Sequence, residues 1–198
     1  MDLGLADRVA VVAGNDPAPR GACARTLVAE GVAVAEAELA GAAVSAEAAL
    51  ARHGRLDVVV ALLDRSPVPT ITEVRDVGQL FESWDHVLEV VELYQAAAPA
   101  LRAGGWGRFV AVISANAKTV GEAGGDLDAM ASLGLLGFHK DVGWTLGPDQ
   151  ITANAVLRTP EVSDDEVADV VAFLASEGAG YLSGITIAVD AGAGRAVY

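Results

Sequence analysis

The sequence predicts an α/β protein: a doubly wound parallel sheet of about six strands with helices on both faces. Short apolar runs such as Arg8-Val-Ala-Val-Val-Ala13 and Arg108-Phe-Val-Ala-Val-Ile-Ser114 suit strands buried on both sides. Between such runs lie longer segments whose apolar residues recur at three- and four-residue steps, the mark of helices. Strand, helix and strand follow one another at βαβ spacing over residues 8–36, and such a unit crosses over right-handed. A chain of 198 residues with 53% hydrophobic and 20% charged content can bury one proper core, so 1–198 reads as a single domain.

The first strand, 8–13, runs into Gly14, and a helix is expected over 19–30 with Gly31 just past its end. Residues 32–36 read as the second strand. A short helix over 46–52 follows, with Ser45 as N-cap and Gly54 as stop. Arg55-Leu-Asp57-Val-Val-Val60 is the next strand, and 66–75, with Pro67 and Pro69, is a loop. Leu80, Phe81, Trp84, Val87, Leu88 and Val91 mark a long helix over 77–102. After the strand ending at Ser114, a Gly-rich connection reaches Gly125 and leads to a helix over 128–146. Its apolar stripe holds Met130, Leu133, Leu136, Val142 and Trp144, and Gly134 and Gly137 leave room for another helix. His139 and Lys140 are expected on the exposed side of that helix. Residues 151–156 form a further strand, Ser163-Asp-Asp-Glu166 is a capping box opening a helix to Ser176, and the last strand lies within 181–192.

The formal charge of −14 leaves no basic stripe to neutralise phosphates, which argues against nucleic acid and anionic membrane surfaces. Cys23 is the sole cysteine, so there is no disulfide framework, and it reads as a small core residue. His53, His86 and His139 show no ligand spacing, so no metal is expected. No leader pattern or uncharged span of membrane length appears, so the expected location is cytoplasmic.

Leu135-Leu136-Gly137, Leu146-Gly147-Pro148 and Ile151-Thr-Ala-Asn154-Ala-Val156 resemble the catalytic half of short-chain dehydrogenases/reductases. Trp84-Asp85, Pro99 and the carboxyl-terminal Val167–Gly192 segment are similar to that family as well. The resemblance covers nearly the whole chain and implies a Rossmann-like fold, shortened by one strand beside the adenine and by the substrate lid. It also shows what is missing. The family's catalytic Ser, Tyr and Lys fall on Ala115, Asp128 and Ser132, and its helix Asn falls on Val91 or His86. The pattern Thr-Gly-x-x-x-Gly-x-Gly aligns with Ala13-Gly14-Asn15-Asp16-Pro17-Ala18-Pro19-Arg20, keeping one glycine. The floor motif Asn-Asn-Ala-Gly becomes Ala61-Leu62-Leu63-Asp64.

These departures share one physical direction. Pro17 and Pro19 have no N–H to point at a pyrophosphate, Ala18 and Arg20 add side chains where backbone must approach closely, and Asp16 competes for the helix dipole. Arg20 still offers a cation, and Glu38 stands near where a ribose would be held. The expectation is therefore a catalytically degenerate member with no NAD(P) cofactor. It would act as a homodimer, or in a hetero-oligomer with a full-length short-chain dehydrogenase/reductase, through helices 77–102 and 128–146. One alternative is a cofactor-independent lyase, isomerase or cyclase with Asp128 as general base and Ser114 or Asn116 as donors. An open pocket at Asp128 would favour it; a cleft filled by Leu62, Leu63 and Ala18 would count against it. A second alternative is an atypical NAD(P)-dependent oxidoreductase.

Overall fold

The structure, a computed structural model, describes residues 2–63, 72–73, 76, 78–118 and 126–193, with backbone only at 79–83, 116 and 126–128. Six strands form one sheet in the order β2-β1-β3-β4-β5-β6, every neighbouring pair parallel. They are β1 (Val9–Gly14), β2 (Ala33–Ala37), β3 (Val58–Leu62), β4 (Gly107–Ser114), β5 (Ile151–Arg158) and β6 (Thr186–Val189). The helices are α1 (Pro17–Ala29), α2 (Ala42–His53), α3 (Gly78–Gly104), α4 (Asp126–Leu146) and α5 (Asp164–Ala175).

The apolar runs become central strands because alternate side chains enter two separate cores. Val9, Val11, Val59, Phe109, Ala111 and Ile113 meet α2, α3 and α4 on one face. Ala10, Val12, Val58, Val60, Val110 and Val112 meet α1 and α5 on the other, where Cys23 is buried beside Leu27 and Val171. The sheet reverses direction of growth between β1 and β3. Folds of this kind bind ligands in the crevice at that point, beyond the strands' carboxyl ends.

No strand intervenes between β2 and β3. Residues 38–57 hold only a 3-10 turn (Leu39–Gly41) and α2, which leaves β2 at the sheet edge. Between β5 and α5 only 159–163 intervene, ending in the expected capping box of Ser163 and Glu166. Several boundaries move. α1 starts at Pro17 because Asp16 caps it and proline suits the first helical position. α2 starts at Ala42, so Ser45 lies inside it; burying Ala42, Ala46 and Ala49 on the sheet outweighs a polar cap. Gly54 ends that helix in the left-handed region, φ 71°. α4 begins at Asp126, and β5 continues to Arg158 as it pairs along β4.

Gly134 makes room for another helix, α3: a Cβ there would stand 3.0 Å from the Trp84 ring. One expectation about α4 fails. His139 is buried, 2% exposed, because it shares the inward stripe of Ser132 and Leu135. Lys140 is exposed, as expected, and bonds the Gly184 carbonyl. The 66–75 loop largely, the Gly-rich 119–125 connection, Val77 and the side chains of Leu80 and Phe81 lie outside the described residues.

Candidate functional site

The β1–α1 turn decides what the crevice can hold. A helix ordinarily begins with four unbonded N–H groups, which with the helix dipole make an anion site. After the Asp16 cap, the first three positions of α1 are Pro17, Ala18 and Pro19. Two of them have no N–H at all. The Ala18 N–H donates to the Asp16 carboxylate at 2.9 Å, and the Arg20 N–H donates to the Asp16 carbonyl at 3.4 Å. The Arg20 bond is the first ordinary turn of the helix, so of the three leading positions two are prolines and the third is already bonded.

Side chains close the same turn. Arg20 folds back so that Nη1 donates to the Gly14 carbonyl at 2.6 Å and Nε to Glu36 at 3.3 Å, across from β2. The Asn15 carboxamide oxygen accepts from Leu39 N–H at 3.1 Å, tying the turn to the segment after β2. Its Nδ2 also lies 3.5 Å from His86 Nδ1, while Glu89 stands 3.0 Å from that same nitrogen. One nitrogen cannot serve both in the same role: the shorter contact favours an Nδ1 proton donated to Glu89. Glu38 is exposed and its side chain caps nothing.

Beneath the turn, Leu62 is fully buried and pairs with Gly14. A Cβ on Gly14 would stand 2.9 Å from the Leu62 Cβ, so the glycine is required by this leucine and not only by a ligand. Leu63 is half-buried, and its N–H donates to Val112. Ala18 is exposed and fills nothing. Of the residues expected to fill the crevice, Leu62 is buried in the core shared with α1, Leu63 is half-buried and Ala18 is exposed.

At the end of β4, Ser114 is half-buried and Ala115 buried, opening a 3-10 turn Ala115–Ala117 against which α4 packs. Ser132, at the position of the family's lysine, is buried on α4. The fold therefore packs α4 against the turn that follows β4. The side chains of Asn116 and Asp128, two of the three candidate catalytic groups, lie outside the described residues, as does Asp64.

Sequence reasoning missed a polar pair between α3 and α4. The Tyr94 hydroxyl and His139 Nε2 stand 2.7 Å apart, both buried, with the Tyr94 ring 4.1 Å from that of Phe109. Burial pushes the His139 pKa down to about 4 and holds the Tyr94 phenol well above its usual value. The Leu135 carbonyl one turn back offsets part of the histidine's shift, although Nδ1 makes no hydrogen bond of good geometry. With the imidazole neutral, the one proton between these two atoms belongs to Tyr94 or to Nε2 according to the tautomer. The available signal was the three- and seven-residue spacing of His139 from Leu136 and Ser132.

No protein-family model matches the chain. The (3R)-3-hydroxyacyl-CoA dehydrogenase of Rattus norvegicus is 32% identical over 141 residues, 56% of this chain and 54% of the relative. The chain thus spans about half the length of the first curated relatives it matches. The short-chain reductase protein NovJ of Streptomyces niveus is 28% identical over 81% of this chain and 71% of its own. A short-chain dehydrogenase/reductase from Serratia marcescens superposes with a TM-score of 0.85 at 28% identity, over 97% of this chain and 99% of the other. L-sorbose reductase from Gluconobacter frateurii, solved with NADPH and L-sorbose, shares the fold with a TM-score of 0.90 at 21% identity. Strand order, the switch-point crevice and these relatives agree: the chain belongs to the short-chain dehydrogenase/reductase superfamily.

Proposed function

We propose that this chain is a degenerate member of its superfamily, a single cytoplasmic domain that holds no NAD(P) and acts through its oligomer contacts. One observation carries the reading: the first three positions of α1 are two prolines and an amide bonded to Asp16, and the Arg20 side chain is turned onto Gly14 and Glu36. A dinucleotide's pyrophosphate would have to displace the Asp16 cap and the Arg20 contacts to find a donor. Its negative charge would also meet Asp16, Glu36 and Glu38. The groups present do not fit the cofactor, so no hydride-transfer step is assigned to them.

The outer faces of α3 and α4 support the second half of the reading. Leu88, Met130, Leu133 and Trp144 are exposed there, Trp144 by 85%, and nothing lies within 4 Å of where a Gly137 side chain would begin. A second copy, or a full-length sister, would cover them. Sedimentation of Leu133→Glu and Trp144→Glu should shift the protein to monomer with little change in melting temperature. An unchanged mass would remove this surface from the account.

The dehydrogenase and reductase names of the curated relatives favour a second reading, an atypical oxidoreductase. Calorimetry with NADH and NADPH at millimolar concentration separates the two. The degenerate reading expects no saturable heat; saturable binding with a micromolar dissociation constant would establish the oxidoreductase instead. Retained turnover of any kind that collapses in Asp128→Asn would favour the cofactor-independent enzyme.

A further inference from the structure

The sheet ends on one side at β2, which among the described residues pairs with β1 alone. The register fixes where its backbone groups point. Ala33 N–H donates to the Arg8 carbonyl at 2.8 Å, so in this parallel pair Ala33, Ala35 and Ala37 turn their amides and carbonyls toward β1. Val34 and Glu36, which alternate with them, turn theirs away from the sheet. Neither residue is buried, so the edge is open to water. Both faces beside it are apolar and half-covered: the three alanines lie against the core under α2, and Val34 against the core under α1. The strand has no proline and no lysine, two devices that commonly guard an open edge. Its charge is acidic. Residues 30–38 hold Glu30, Glu36 and Glu38 and no lysine or arginine, and the Glu36 side chain stays 45% exposed although Arg20 reaches it.

We propose that the β2 edge docks an extended, basic segment of another protein as an added strand. The backbone of such a segment would pair with the outward groups of Val34 and Glu36, the mode in which main-chain bonds hold a peptide to a sheet edge. Its side chains would alternate between the two faces. On the α2 side they would meet the alanines, which suits small apolar residues. On the α1 side they would meet Val34 and Glu36, which suits lysine or arginine: the stem covers the valine and the charge meets the carboxylate. A second copy does not suit the edge, because pairing β2 with itself brings these glutamates together on chains that each carry −14. The proposal rests on the edge alone, not on the α3 and α4 faces or on what the crevice holds.

Calorimetry on the full chain tests it with a blocked peptide of about nine residues alternating lysine and valine, long enough to span β2. This peptide should bind saturably with a dissociation constant of about 1 mM or tighter. The same peptide with glutamate for each lysine, or with proline for each valine, should be about tenfold weaker or more, the first for its charge and the second because it cannot form a strand. Val34→Pro removes the outward N–H and no bond to β1, so the fold should persist by circular dichroism while binding of the lysine peptide is lost. Glu36→Lys leaves the backbone edge intact and should reverse the preference toward the glutamate peptide. No saturable heat from the lysine peptide, equal binding of the proline peptide, or an unchanged preference in Glu36→Lys would overturn the proposal. So would a wild-type dimer that Val34→Pro dissociates, since a second copy would then fill the edge.

Discussion

The two ends of the sheet are both closed by the chain's own side chains, but with bonds of different strength. At the amino end, Asp57 is 4% exposed and accepts from Val9 N–H at 2.9 Å, from Arg8 at 3.3 Å and from Arg55 at 2.8 and 2.6 Å. Arg8 and Arg108 both stack on Trp106, 3.8 and 4.0 Å from its centroid, and Arg108 donates to the carbonyls of Ser176, Gly107 and Gln150. Burial, then the charge of Arg8, pushes the Arg108 pKa down to about 10. These contacts join distant segments inside the fold. At the carboxyl end the bonds are more exposed: Asp16 to Ala18, Arg20 to Gly14 and to Glu36. One end is a structural joint. The other lies at the crevice where folds of this kind take ligands, with Asp16, Arg20 and Asn15 bonded to the chain itself.

The contrast breaks most directly at Asp57. Asp57→Ala leaves Val9 N–H and the Arg8 guanidinium without their buried acceptor and should cost about 3–5 kcal/mol, the usual penalty for half of a buried pair. Urea denaturation reads it; a loss under about 1 kcal/mol would mean that the amino end is no joint at all.

Between the two ends in expected size stands the Tyr94–His139 pair. The folded-state pKa of His139 is about 4, below the unfolded value of 6.5, so the unfolded chain binds the proton more readily. Stability from this group is therefore fully present above pH 6.5 and is lost as pH falls from there to about 4, in all about 3 kcal/mol. Urea titrations at pH 7 and pH 4.5 should show wild type losing more than His139→Gln by most of that amount. Equal losses would place the imidazole in contact with water.

The smallest effects belong to the crevice. Asp16→Ala removes one helix cap and should cost about 1 kcal/mol. Arg20→Ala breaks two partly exposed contacts and should stay within about 1 kcal/mol by the same denaturation assay. Either variant costing as much as Asp57→Ala would erase the distinction between the ends.

Much of this was legible in residue order. Strands at 8–13, 55–60, 108–114 and 151–156 were readable because a sheet covered on both faces demands unbroken apolar runs, and the Ser163–Glu166 box announces its helix. The prolines of the β1–α1 turn were legible too, since proline's missing N–H needs no structure to interpret. Other features arise only from tertiary contact. Whether Arg20 reached toward a ligand or back to Gly14 depended on where β2 would place Glu36. His139 looked exposed because histidine is polar, and only the partner hydroxyl on α3, 45 residues earlier, makes its burial tolerable. Gly134 announced a close helix neighbour, and only the fold shows that neighbour to be Trp84 of α3.

A crystal soaked with NADP tests the central claim most directly, because it reports on the turn itself. The account predicts no ordered pyrophosphate beside residues 15–20, with the Asp16 cap and the Arg20–Gly14 contact intact. A pyrophosphate ordered against that turn, with Arg20 swung out to meet it, would contradict it.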